Sequence, residues 1–199
     1  VSKETLVMID TDQEITKIVQ KMKRLHDQLG APEVFRKALN DTGRKVRKQI
    51  IKDAKGRYAL SNKKVLTDKS KGGPELLTAS KSNLTATIRS RGPMQDIMTF
   101  MTRPNTDTGA AAAKVLNASS MKELQTGDLK AFVAQFASGH VAIVRRTGPA
   151  RLPVKKLLSP SVPHMLNNEE IREKAAAMTY DLLQAEIEKH IAKVLGNAA

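Results

Sequence analysis

Residues 130–166 read KAFVAQFASGHVAIVRRTGPARLPVKKLLSPSVPHML. The stretch begins with two strand-like runs, 131–137 and 140–146, joined through Ser138-Gly139. In the second run β-branched residues recur at every other position, and Arg145 and Arg146 end it. Alternating runs around a Gly-containing turn predict a β-hairpin. Residues 151–166 then carry Pro153, Pro160 and Pro163 in a mixed apolar and basic context, which predicts a semi-rigid docking arm after the hairpin. The stretch holds almost no nucleophile, acid or metal ligand. Its composition points toward assembly rather than chemistry.

On the N-terminal side the period is helical. Ile15, Ile18, Val19, Met22, Leu25 and Leu29 make one face of a helix over 11–29, and Gly30 is a stop signal. Pro32 suits the first turn of a second helix. Its stripe of Val34, Phe35, Ala38, Leu39, Val46 and Ile50 continues to about Ala54, and Gly56 ends it. Gly43 interrupts this helix at a cost of about 1 kcal/mol relative to Ala, which predicts a kink or close packing there. Ser61 is the expected cap of a short turn over 63–66.

The period then changes. After the Gly72-Gly73-Pro74 turn signal, Leu84, Ala86 and Ile88 alternate with polar residues, predicting a half-buried strand that ends at Gly92-Pro93. A second strand is expected over 95–103. The Ala run 110–113 fits either a strand edge or a loop. Last comes a helix capped by Asn168, with Glu169 and Glu170 in its first turn. Ile171, Ala175, Met178, Leu182, Leu183, Ile187, Ile191, Val194 and Leu195 form its stripe up to Gly196. The expected architecture is α+β: N-terminal helices, an antiparallel sheet of about four strands with the hairpin and the Pro-rich arm, and a C-terminal helix. It reads as a single domain. Its parts are an N-terminal helix in 1–30 that is a candidate separate arm, a basic helical segment 31–66, a sheet 83–146, a docking arm 147–166 and a closing helix 167–196.

The 199 residues suffice for a real core, which aromatics at 3% and no Trp leave to Leu, Ile, Val, Ala and Met. Cys is absent, which removes disulfides and thiolate chemistry. No apolar run approaches the ~20 residues of a membrane span, and no signal-peptide layout opens the chain, so a soluble, cytoplasmically made protein is expected. The net charge of +14 is unevenly spread: zero over 1–30, +6 over 31–60, +5 over 61–92, +5 over 93–160 and −2 over 161–199. Such a field favours a polyanion or an acidic protein surface.

The binding candidates follow from that field. Arg36, Lys37, Arg44, Lys45, Arg47, Lys48 and Lys52 line the second helix, and Arg89, Arg91, Arg145 and Arg146 extend the same sign. A solvated helix face is the bland reading of the first group; the extension raises the polyanion reading. Scarce aromatics and the lack of a zinc-finger or zipper pattern leave backbone phosphate as the target. His26, His140, His164 and His190 have no spaced partners and read as structural, His140 also as an interface candidate. Glu169/Glu170 and Glu186/Glu188 read as helix-start charge and solvated surface. Gly72-Gly73 lacks the phosphate-loop spacing, and no nucleophile elbow or EF-hand occurs. No cofactor and no metal is expected, and no enzyme.

The order of segments resembles a known family. A basic helix (FRKALNDTGRKVRKQIIKDAKGRY), a strand (SNLTATIRSRG), the hairpin (FVAQFASGHVAIVRRTG), the arm (RLPVKKLLSPSVPHML) and a closing helix follow one another as in the minor tail protein Z family of tailed bacteriophages and prophages. The resemblance covers roughly 34–195 and is strongest in SGHVAIVRR and LPVKKLLSPSVPHML. It departs in the first helix and around 104–127. The resemblance implies a structural virion protein, a tail completion protein at the head-proximal end of the tail, assembled in the host cytoplasm. A ring is implied, hexameric by analogy with the tail tube. Implied partners are the tail terminator, the head–tail connector, the tail tube or tape-measure protein and packaged DNA. An arm anchored by Leu152, Pro153, Leu157, Leu158, Val162, Pro163 and Leu166 would then lie across an adjacent subunit. The rival is a cellular, non-sequence-specific nucleic-acid-binding module using the basic helix.

Overall fold

The computed structural model describes the backbone of 4–9 and residues 31–107 and 109–196. The helix expected over 11–29, and His26 with it, lies outside the described residues. The chain is α+β, with helices flanking antiparallel sheets. Where one domain was expected, the described residues group into two compact units that interleave along the chain. A helical unit takes 4–9, 31–51, Pro74–Ser90 and 166–196. A sheet unit takes Lys52–Gly73 and Arg91–Met165.

In the helical unit, helix α1 (Ala31–Arg57) opens with Pro32 in its first turn and runs through Gly43 without a break. The expected stripe is the buried one: Val34, Phe35, Ala38, Leu39, Val46 and Ile50 are all nearly inaccessible. Gly43 is there because Leu76 packs onto it. A Cβ at 43 would stand 2.7 Å from Leu76 Cδ1. Strands β1 (Glu4–Ile9), β2 (Glu75–Leu77) and β3 (Ala86–Ser90) form an antiparallel sheet in the order β1-β3-β2. Ala86 and Ile88 face inward as the alternation predicts. Phe35, Ala38, Leu39, Ala79 and Ala86 pack with Leu183 and Ile187 of the C-terminal helix. The buried Asn40 side chain donates to the Ala79 carbonyl (3.1 Å) and accepts from the Ala79 amide (2.7 Å). It thereby satisfies a loop backbone that would otherwise be buried without partners.

The sheet unit is built around the hairpin of β9 (Leu129–Gln135) and β10 (Val141–Arg146). Ala142 pairs with Ala134, and Val144 with Phe132. The turn closes with Phe136 N–H donating to His140 O, and Gly139 takes φ +78°, a left-handed position that glycine adopts without strain. β4 (Gln95–Asp96), β5 (Met101–Arg103), β6 (Ala112–Lys114), β7 (Lys122–Glu123) and β8 (Gln125–Thr126) complete the unit, together with β11 (Val154–Lys156) and β12 (Leu158–Ser159). The sheets are β11-β10-β9-β8, β5-β6-β7 and β12-β4. The Ala run is buried and enters strand β6 at Ala112, with Ala111 and Ala113 in a core that includes Ile97, Ala131 and Ile143.

Several expectations are corrected. The strand expected over 95–103 is broken by a 3-10 turn, Ile97–Thr99, because the Asp96 carboxylate accepts from the Met98 amide. A three-residue turn then puts Ile97 and Phe100 on one buried side and leaves Met101 exposed. Asn62, not Ser61, caps the turn over Lys63–Thr67; the Ser61 hydroxyl donates to Thr99 O instead. The docking arm is largely part of the fold. β11 pairs with β10, β12 with β4, and α2 (Val162–Leu166) buries Val162, Met165 and Leu166. Its prolines permit this by position. Pro153 precedes β11, Pro160 follows β12, and Pro163 sits in the first turn of α2, where no N–H is needed.

The closing helix α3 (Glu169–Gly196) starts where expected, the Asn168 carbonyl accepting from the Arg172 amide, but the Asn168 side-chain oxygen is buried without a partner and does not cap it. Ile171, Ala175, Leu183 and Ile187 are its buried stripe. Glu186, expected as solvated surface, is instead 2% exposed.

Candidate partner-binding surfaces

The basic helix divides into occupied and free cations. Arg36 donates two hydrogen bonds to Glu33, at 2.9 and 2.6 Å, and Lys37 stands 3.4 Å from the same carboxylate. The Arg36 guanidinium brings the Glu33 carboxyl down to about 2. Arg44 pairs with Asp41 at 2.5 Å and Lys45 with Glu186 at 2.5 Å. On β3, Arg89 pairs with Glu75 at 3.0 Å. Arg47, Lys48 and Lys52 make no ion pair among the described residues, and neither does Arg91. The field that looked continuous along α1 is thus answered locally over its first half, with its acids one turn away or on α3.

Where α1 meets α3, the helical unit closes an ion network. Donor atoms of Asp41, Glu186 and His190 lie within 4.8 Å of one another. His190 Nε2 is 2.9 Å from Asp41 Oδ2 and 3.8 Å from Glu186 Oε2, and Lys189 reaches the same Glu186 oxygen at 3.1 Å. Burial works to raise the Asp41 carboxyl, but hydrogen bonds with His190 and Arg44 outweigh it and hold it below the usual range. For Glu186 the Lys45 hydrogen bond dominates burial, and Lys189 adds to it, with the same result. The geometry has the look of a three-ligand metal centre. Its chemistry does not: Arg44, Lys45 and Lys189 already occupy the carboxylates, and a divalent ion would have to displace them. The cluster therefore ties α1 to α3. Sequence spacing carried the signal, since Glu186 and His190 are four residues apart and adjoin Ile187 on the buried stripe.

In the sheet unit the strand pairing brings cations together. Arg145 lies directly opposite Lys155 across β10 and β11. The Arg145 guanidinium donates to the Thr126 hydroxyl, a neutral partner. Arg146 stands over the Phe132 ring, 5.7 Å from its centroid. Beside the hairpin tip, Lys156 reaches Asp96 at 2.8 Å and His140 at 3.0 Å, while the His140 ring stacks on Phe136. His140 is therefore a surface residue of the tip, as an interface role requires. The proposed arm anchors separate by burial. Leu152 and Leu158 are 67% and 49% exposed and Pro153 is exposed, whereas Leu157 packs on the unit's core. Val162, Pro163 and Leu166 are buried within the chain and have no surface to offer.

Two further facts were out of reach of a linear reading. The sheet unit carries 17 basic and 6 acidic residues, +11 of the chain's +14. It also carries seven of the nine large apolar side chains that stand exposed among the described residues: Met94, Met101, Met121, Phe136, Val141, Leu152 and Leu158. Among the described residues no helix is long and apolar enough to cross a membrane. No family model, no curated protein and no solved structure matches the chain.

Proposed function

We propose that the chain is a non-catalytic structural subunit of a tailed-phage particle, a tail completion protein at the head-proximal end of the tail. It would form a ring, hexameric to match the tube, and contact the tail terminator, the head–tail connector, the tube or tape-measure end and packaged DNA. The phage assignment rests on the ordered segments of the sequence. The subunit role is supported by one observation above others: the sheet unit turns Phe136, Val141, Leu152 and Leu158 outward on and around its hairpin. Exposed apolar side chains on structured elements are candidates for a protein contact. The rival reading, a nucleic-acid module acting through α1, is weakened because Arg36, Lys37, Arg44 and Lys45 already have carboxylate partners.

The test is a cryo-electron microscopy reconstruction of the neck of particles from cells that make the protein. Density for β9, β10 and α3 in a ring at the head-proximal tail end is the expected result. Particles that lack the chain, or carry it elsewhere, would overturn the proposal.

A further inference from the structure

We infer that the β10–β11 end of the sheet unit binds the phosphate backbone of double-stranded nucleic acid, with Arg145, Arg151 and Lys155 as its contacts. The inference does not depend on the ring. It starts from a gap in the sequence: residues 129–168 contain six Lys or Arg and no Asp or Glu. Folding does not repair the imbalance at this end. Arg145 and Lys155 are direct cross-strand partners, and like charges so placed disfavour the sheet. Arg151 and Lys155 are exposed, and neither they nor Arg145 has an acidic partner among the described residues. Lys156, one position further on, shows the contrast, since Asp96 answers it at 2.8 Å. Arg146, next to Arg145 on β10, projects from the opposite face over Phe132 and shares a cleft of about 380 Å³ with Asp107 and Asp128, so it is not one of the contacts.

An uncompensated pair held in register by two strands is relieved by an anion that spans both. Two of the three groups are guanidinium forks, whose geometry matches phosphate oxygens bidentately. The Phe132 ring is covered by Arg146, and the chain has four Phe, two Tyr and no Trp, so it lacks a platform for stacking bases. That leaves backbone recognition, independent of sequence and steep in salt. A protein partner fits the hairpin tip better, where Phe136 and Val141 are exposed.

The experiment is fluorescence anisotropy of a short labelled DNA duplex with the full chain over a salt series. Three phosphate contacts predict a slope of log K against log salt of about −2.7, from roughly −0.9 per contact. R151A/K155A, both on exposed side chains, should weaken binding at least about tenfold at low salt and shallow the slope by about 1.8. R145K keeps the charge without the fork, so it should keep the slope and lose affinity. R47A/K48A on α1 should change affinity less than about twofold. Far-ultraviolet circular dichroism and the thermal midpoint of each variant report folding; if R151A/K155A shifts them, R151Q alone carries the test with half the slope change. No duplex binding by the wild type, an unchanged slope in R151A/K155A (or in R151Q where it stands in), or displacement of the duplex by polyglutamate at equal charge concentration would overturn the inference. The last outcome would assign the surface to an acidic protein instead.

Discussion

The helical unit and the sheet unit spend their polar residues differently. In the helical unit nearly every charge near the core has a partner: Glu33 takes Arg36 and Lys37, Asp41 takes Arg44 and His190, and Glu186 takes Lys45 and Lys189. Asn40 likewise closes both hydrogen bonds of Ala79. The sheet unit holds most of the net charge and most of the exposed apolar side chains. Exposed apolar side chains are costly to leave in water, and like charges concentrated on one unit repel one another. The helical unit closes its charges internally; in the function proposed above, the sheet unit is where contacts to other molecules would fall.

The largest expected effects test whether each unit has its own core. Leu39→Ala and Ile143→Ala each delete a fully buried side chain, at 0% and 1% exposure. Each should cost about 3 kcal/mol. Hydrogen exchange should localise the loss to α1 and β3 for the first and to β9 and β10 for the second. Equal loss of protection in both units from either substitution would break the comparison.

Asn40→Ala is next. It strands the buried Ala79 N–H and C=O, at about 2 kcal/mol. Exchange of the Ala79 amide should accelerate while β9 and β10 amides keep their rates.

The smallest effect sharpens the electrostatic side. Asp41 and Glu186 have folded pKa values below their unfolded ones. Their stabilisation is therefore present above the unfolded carboxyl range, about 4, and is lost as pH falls through the folded values. The helical unit should lose protection below about pH 4 for this reason. Glu186→Gln should cost about 1.5 kcal/mol at neutral pH and flatten that acid dependence. A variant with the same acid profile as wild type would show that Glu186 contributes nothing through its charge.

Much of the fold was legible in sequence because periodicity is a local property. The stripe from Val34 to Ile50, the alternation of Ala86 and Ile88, and the Ser138-Gly139 turn each follow from residues within a few positions of one another. The breaks came where a side chain redirected its own backbone, as Asp96 does at Met98, or where prolines fell at element ends rather than inside a free arm. The candidate site was less legible. Arg145 and Arg146 were visible as a pair, but Arg151 and Lys155 were not read with them, although the absence of acids from 129 to 168 was the available signal.

The sequence by itself determined which faces are apolar, where helices start and stop, and that the chain is strongly basic. Only the tertiary structure decided which cations remain free. Lys45 finds Glu186, and Asp41 finds His190 across 149 positions, so part of the ion network of α1 depends on residues that no local window contains. The same holds for Lys155 opposite Arg145, a proximity created by strand register. Charge adds along a chain, but its field depends on distance, and distance is what folding sets.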